Sequence, residues 1–163
     1  MIKPIFEYNS IIWGDKRNSV QMDLLQILQN RAAKTILGRE LHSSATQALK
    51  DLNWMPLVKK RIIDFCIFVY KCLHNLINHD FGFYSLSQVH YHNTRHKENV
   101  SFESVKTNWG LFKTVPHCSK DWNSLDLDTR NIDSLKSFRN KLFQIFSWIM
   151  WLIPILKFCL YIY

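Results

Sequence analysis

The stretch from Pro56 to Ile77 constrains the fold more than any other part of the chain. Ile62, Phe65, Cys66, Val69, Leu73, Leu76 and Ile77 recur at the 3.6-residue helical period over roughly six turns counted from Pro56. Pro56 stands where the first turn of a helix tolerates a residue without an N–H. This predicts the longest core helix of the molecule. A second helix is predicted over 19–37, where Val20, Leu24, Leu28, Ala32 and Ile36 recur every fourth residue and Gly38 supplies a stop. Arg31, Lys34 and Arg39 lie near its C-terminal end, where cations complement the helix dipole.

Shorter helices follow from local signals. Ile5, Phe6, Tyr8, Ile11 and Ile12 suit a helix within 2–13 that ends before Gly14. Ser44-Ala45-Thr46-Gln47 has capping-box spacing and introduces a helix through Leu52. Residues 79–110 are rich in His, Asn and Ser and keep no period, which predicts a surface loop with one helical turn around Phe81–Leu86. A short extended piece is expected over Leu111–Val115. Pro116 opens a helical turn through Trp122 to Leu125, and Asp133-Ser134 caps a last helix with a stripe of Leu135, Phe138, Leu142 and Ile145. Strand signals are weak throughout. The expected class is mainly α: a small multi-helix assembly with an irregular middle loop and a hydrophobic C-terminal helix.

Several function classes lack their residues. Gly14, Gly38, Gly82 and Gly110 are too far apart for a dinucleotide or phosphate-loop fingerprint. No Ser or Cys sits in a nucleophile-elbow signature. Cys66, Cys72, Cys118 and Cys159 show no Cys-x-x-Cys spacing, so free intracellular thiols are expected. His90, His92 and His96, with Cys72, His74 and His79 upstream, are zinc-ligand residue types, but they do not form the two closely spaced pairs of a structural zinc site. They read as polar loop residues, with neither a metal nor another cofactor expected. The N-terminus does not read as a secretory signal, because Glu7 interrupts the apolar run.

A set of pairs and triplets carries a resemblance. In order they are Pro4, Glu7-Tyr8, Trp13-Gly14, Leu28-Gln29-Asn30-Arg31-Ala32-Ala33, Trp54-Met55-Pro56-Leu57, Thr94-Arg95, Trp122-Asn123-Ser124-Leu125 and Ser134-Leu135-Lys136-Ser137-Phe138. Together they resemble the region downstream of the polymerase core in LINE-type (non-LTR retrotransposon) reverse transcriptases, over about the first 142 residues. The resemblance implies a helical thumb and C-terminal region that hold RNA or DNA. The metal-binding aspartate pair of the palm has no counterpart here, so the expectation is a remnant without its own catalysis. The chain departs from the family pattern around the Trp-Asn pair. Ser119-Lys120-Asp121 replaces the usual Gly-Ala before it, and Asp126 follows Leu125 where a proline is usual.

Charge points the same way. Lys and Arg number 21 against 13 Asp and Glu, a formal net charge of +8, and a chain this basic tends to meet polyanions. The candidate nucleic-acid contacts are Arg31, Lys34, Arg39, Lys59, Lys60, Arg61, Arg95 and Lys97, with Tyr84, Tyr91 and Trp109 as stacking platforms. The bland alternative places Lys59 to Arg61 on the solvent face of a core helix. No small-molecule substrate is implied.

Beyond the helical region, 1–141, the residues from Leu142 to Tyr163 carry Lys157 as their one charge and are long enough to cross a bilayer. A second reading is therefore a tail-anchored membrane protein, with Lys136, Arg139 and Lys141 keeping a basic helical domain in the cytosol. A third is an RNA-binding module retained after the polymerase was lost. The tail also matches translation of AT-rich sequence after a frameshift.

Overall fold

Three helices of this chain end in the same way, and the endings set its layout. The computed structural model describes residues 10–13, 19–78, 83–89, 97–101, 106–107 and 114–159. Among these, positive φ angles occur at Gly38 (61°), Asn53 (52°) and Asn75 (52°). At each, the N–H of the next residue reaches five positions back: Arg39 N to Lys34 O at 2.9 Å, Trp54 N to Leu49 O at 2.7 Å, and Leu76 N to Lys71 O at 2.8 Å. The positive-φ residues themselves bond to Thr35, Lys50 and Cys72 carbonyls. This is the Schellman pattern, which satisfies the last orphan carbonyls of a helix and turns the chain away. Glycine enters the left-handed region without a Cβ penalty, and asparagine is the side-chain-bearing residue that does so most readily.

The chain divides into two compact units, Met1–Asp64 and Phe65–Tyr163. The first contains α1 (Ser10–Trp13), α2 (Ser19–Ile36), α3 (Ala45–Asp51) and the start of α4 (Leu57–Leu73). Ser44 caps α3, its hydroxyl accepting from Gln47 N at 3.3 Å, while the Gln47 side chain reaches forward to Asp51 at 2.9 Å instead of back to the cap. Helices α2 and α3 meet through Ala33 and Ala48, both fully buried, with Leu49 beside them and Leu37, Leu52 and Trp54 packed around. Two alanines at the crossing let the backbones approach closely.

The face of α2 that packs is not the every-fourth-residue stripe. Met22, Gln29 and Ala33 are buried, whereas Val20, Leu24, Leu28 and Ile36 are exposed. The reason is polar. Gln29 Nε2 donates to Met55 O at 3.0 Å, and Gln26 Oε1 accepts from Leu57 N at 2.9 Å. The Leu57 N–H is one of the unpaired donors at the start of α4, so Gln26 serves as a cap supplied from another helix. Gln26 Nε2 also donates to Gln29 and Asn30, which fixes the pair in place.

The second unit contains the rest of α4, then β1 (Tyr84–Ser85), α5 (Leu86–Val89), β2 (Val100–Ser101), α6 (Thr114–Asn123), α7 (Leu127–Arg130) and α8 (Leu135–Cys159). Its core is aromatic. Tyr70 stacks on Phe138 with ring centroids 4.6 Å apart, and Trp122 lies 5.6 Å from Phe138. The Tyr70 hydroxyl donates to Asp133 O, tying α4 to the residue before the cap of α8. Phe138 and Leu142 are fully buried, as the stripe on α8 predicts.

Three expectations are corrected. The middle segment is not all loop: Tyr84 and Ser85 pair antiparallel with Ser101 and Val100, and its helical turn is Leu86–Val89, later than Phe81–Leu86. Buried Phe83, edge-to-face with Phe68 at 6.0 Å, and buried Val100 anchor that pair to the core. Thr114 and Val115 begin helix α6 and are not extended, because Pro116 with its fixed φ fits within a first turn. Helix α4 ends at Leu73 and leaves Leu76 exposed, so α8, not α4, is the longest helix among the described residues.

Among the described residues no helix is long and apolar enough to cross a membrane. Of the candidate span from Leu142 to Tyr163, Leu142 is spent on the protein core, Gln144 and Ser147 are exposed, and the side chains of 148–163 lie outside those described. The helix of the candidate span within 2–13 is seen as Ser10–Trp13, its earlier residues lying outside the described set.

Candidate nucleic-acid interface

Most of the basic residues singled out in the first unit are engaged with the protein itself. Arg39 forms an ion pair with Asp51, joining the segment after α2 to the end of α3. Lys34 Nζ donates to Leu41 O at 2.5 Å, bracing the same connection. Lys60 pairs with Asp64 one turn along α4, at 2.6 Å. Each of these cations is only partly exposed, and each holds a local partner that a phosphate would have to displace.

Arg61 departs furthest from the expected role. It is 1% exposed, and its guanidinium donates to Ser10 O at 3.4 Å, connecting α4 to α1. Burial draws its pKa down, with Asp64 acting in the opposite sense. A side chain enclosed in this way is a structural tie and does not present itself to a nucleic acid. Burial likewise lowers the pKa of Lys59, which is half-buried. The run Lys59-Lys60-Arg61 is therefore neither a single patch nor a solvent face. Arg31 remains on the exposed side of α2.

In the second unit Lys97 is exposed, and its carbonyl accepts from Ser87 N at 2.9 Å. Arg95 lies outside the described residues, as do Tyr91 and Trp109. Tyr84 is 51% exposed on β1, the one named stacking aromatic that the structure describes. Lys120, Lys136, Arg139 and Lys141, which the sequence reading did not include among the candidate contacts, are all exposed on α6 and α8. The available signal was the helical period itself: with Phe138 and Leu142 inward, Lys136 and Arg139 point outward.

The Trp-Asn motif has a structural duty. Trp122 is buried against Phe138, and the Asn123 amide makes both hydrogen bonds of a strand partner to one residue. Asn123 Oδ1 accepts from Val100 N at 2.8 Å and Nδ2 donates to Val100 O at 3.0 Å. This closes the outer edge of the two-stranded pair. Arg130 Nη1 donates to Glu98 O at 3.2 Å and to Asn99 Oδ1 at 2.9 Å, holding the turn that leads into β2. Asp126 caps α7 through Thr129, whose hydroxyl donates at 2.8 Å and whose N–H donates at 3.1 Å; these bonds hold the carboxyl below its ordinary range.

Other chemistry is scarce among the described groups. Cys72 and Cys118 are buried, and burial pushes their thiols up to about 11 and about 12. Thiols of that kind are packing groups, since the thiolate is the reactive form. His74 stacks on Tyr70 at 4.0 Å. His79, His90, His92 and His96 lie outside the described residues, and among those described no group of three metal-ligand side chains gathers.

The motif residues do gather, in pairs. Gln29 of the Leu28–Ala33 segment bonds Met55 of the Trp54–Leu57 segment, and Trp122 meets Phe138 of the Ser134–Phe138 segment. Comparison with family models, with curated proteins and with solved structures finds no match for this chain.

Proposed function

We propose that this chain is a non-catalytic remnant of the region downstream of the palm in a LINE-type reverse transcriptase, retaining a weak, charge-driven contact with RNA or DNA. The observation that carries the reading is the pairing of motif segments within each unit. Segments far apart in sequence bond to one another through Gln29 and Met55 and through Trp122 and Phe138, which is what a fold signature, as distinct from an active-site signature, does.

The polyanion contact is electrostatic and spread out. It draws on the net charge of +8 and on the exposed cations Arg31, Lys97, Lys120, Lys136, Arg139 and Lys141. Arg61 has no part in it. Fluorescence anisotropy of a single-stranded RNA against the full chain, repeated across a salt series, tests this. Log affinity should fall linearly with log salt, and replacing Lys136 and Arg139 with Gln should flatten the slope, whereas Arg39→Gln should leave it nearly unchanged. Absence of binding at low salt defeats the proposal.

A further inference from the structure

Helix α2 has an apolar face that its own unit leaves unused. Val20, Leu24, Ile27 and Leu28 are 69, 57, 44 and 50% exposed. They lie on the side of the helix opposite Met22, Gln29 and Ala33, which are buried. Arg31 continues the stripe one turn further on, and Asp23 flanks it; both are exposed. A clustered apolar stripe of this kind marks a contact surface.

We propose that this face joins two copies of the chain, α2 packing antiparallel on α2 of the second copy about a two-fold axis. The stripe is complementary to itself in that orientation. With the axis between Leu25 and Gln26, Leu24 meets Ile27 of the second copy, and the symmetric contact repeats it, as a two-fold interface requires. Val20 then lies across from Arg31 of the second copy. The arginine stem covers the valine, and its guanidinium falls within one turn of Asp23. A parallel pairing would instead set Arg31 against Arg31 across the seam, a like-charge contact that disfavours it. Arg31 on the stripe and Asp23 beside it thus favour a second copy packed in the antiparallel direction.

The stripe spans three turns, so each copy covers on the order of a few hundred Å2, below the ~800 Å2 per partner of a standard stable interface. The dimer is accordingly weak and depends on concentration. Sedimentation equilibrium on the full chain over a concentration series tests it. The wild type should shift from monomer to dimer, and Leu24→Lys with Ile27→Lys should abolish the shift while leaving the helical circular dichroism intact. Asp23→Arg or Arg31→Asp alone should weaken association at least about tenfold, and the two together should restore it. A wild type that stays monomeric overturns the proposal. So does association that survives the double lysine variant, which would arise from another apolar surface, or paired charge reversal that fails to recover it.

Discussion

Helices α2 and α8 look alike on a helical wheel and behave differently in the structure. On α8 the stripe of Phe138 and Leu142 goes inside, both fully buried, with Lys136, Arg139 and Lys141 outside. On α2 the apolar stripe stays outside, and the buried face holds Gln29 and Ala33. The difference lies in what each helix meets. α8 supplies a ring to an aromatic stack, where area removed from water dominates. α2 meets a chain turn at Met55–Leu57 that presents a backbone carbonyl and an unpaired N–H. Leaving those groups unbonded costs more than exposing a few aliphatic side chains.

The largest effect expected from this contrast is on α8. Phe138→Ala removes the ring stacked between Tyr70 and Trp122 and should cost about 3–5 kcal/mol. Leu24→Ala on the exposed stripe should change monomer stability by less than about 0.5 kcal/mol. Urea unfolding of the two variants, followed by circular dichroism at low protein concentration, compares them directly; equal losses would break the contrast.

The polar side of the comparison comes next. Gln29→Leu keeps the volume but leaves Met55 O without its bond from Gln29, and should cost about 1–3 kcal/mol. Asn123→Leu does the same to Val100, removing two bonds at once, and hydrogen exchange of the Val100 amide should speed up more than that of its neighbours. If both variants match the wild type in unfolding, amide pairing does not decide which face is buried.

Backbone geometry gives a smaller effect. Gly38→Ala places a Cβ on a residue at φ 61°, where the left-handed conformation costs about 1–2 kcal/mol, although nothing lies within 4 Å of the added carbon. Asn53→Ala, where a Cβ is already present at φ 52°, should lose less, read as a slightly lowered unfolding midpoint.

The smallest effect concerns pH. The folded state holds the Asp126 carboxyl below its ordinary pKa, chiefly through the Thr129 hydroxyl. A depressed carboxyl contributes stability that is present above the unfolded pKa, near ~3.9, and is lost as pH falls through the folded value. Asp126→Asn should therefore be less stable than wild type at neutral pH, with the gap narrowing below about pH 4. A gap unchanged between pH 7 and pH 3 would remove the carboxylate from the account of the α7 cap.

Much of this architecture was legible in the residues. The helical period located α2, α4 and the start of α8 within a few residues, Gly38 marked one helix end, and Ser44 marked a cap that does accept from Gln47. The other two helix ends were harder to see, because asparagine at 53 and 75 serves as well in a loop as in a left-handed cap, and only the neighbouring hydrogen bonds separate the two. The candidate interface was less legible still. Lys59, Lys60 and Arg61 are adjacent in sequence, but about 100° per residue around a helix sends adjacent side chains to different sides. One of them ends buried, one paired and one half-buried.

The sequence by itself determined that the chain would be built of helices, roughly where they start and stop, and that its charge would be strongly positive, because period, capping and composition are local properties. Only the tertiary structure decided which face of α2 is buried, which cations reach water, and that Asn123 and the α2 glutamines close backbone groups far away in sequence. Those outcomes depend on which unpaired backbone groups meet which side chains after the chain has turned, and no local pattern records that meeting.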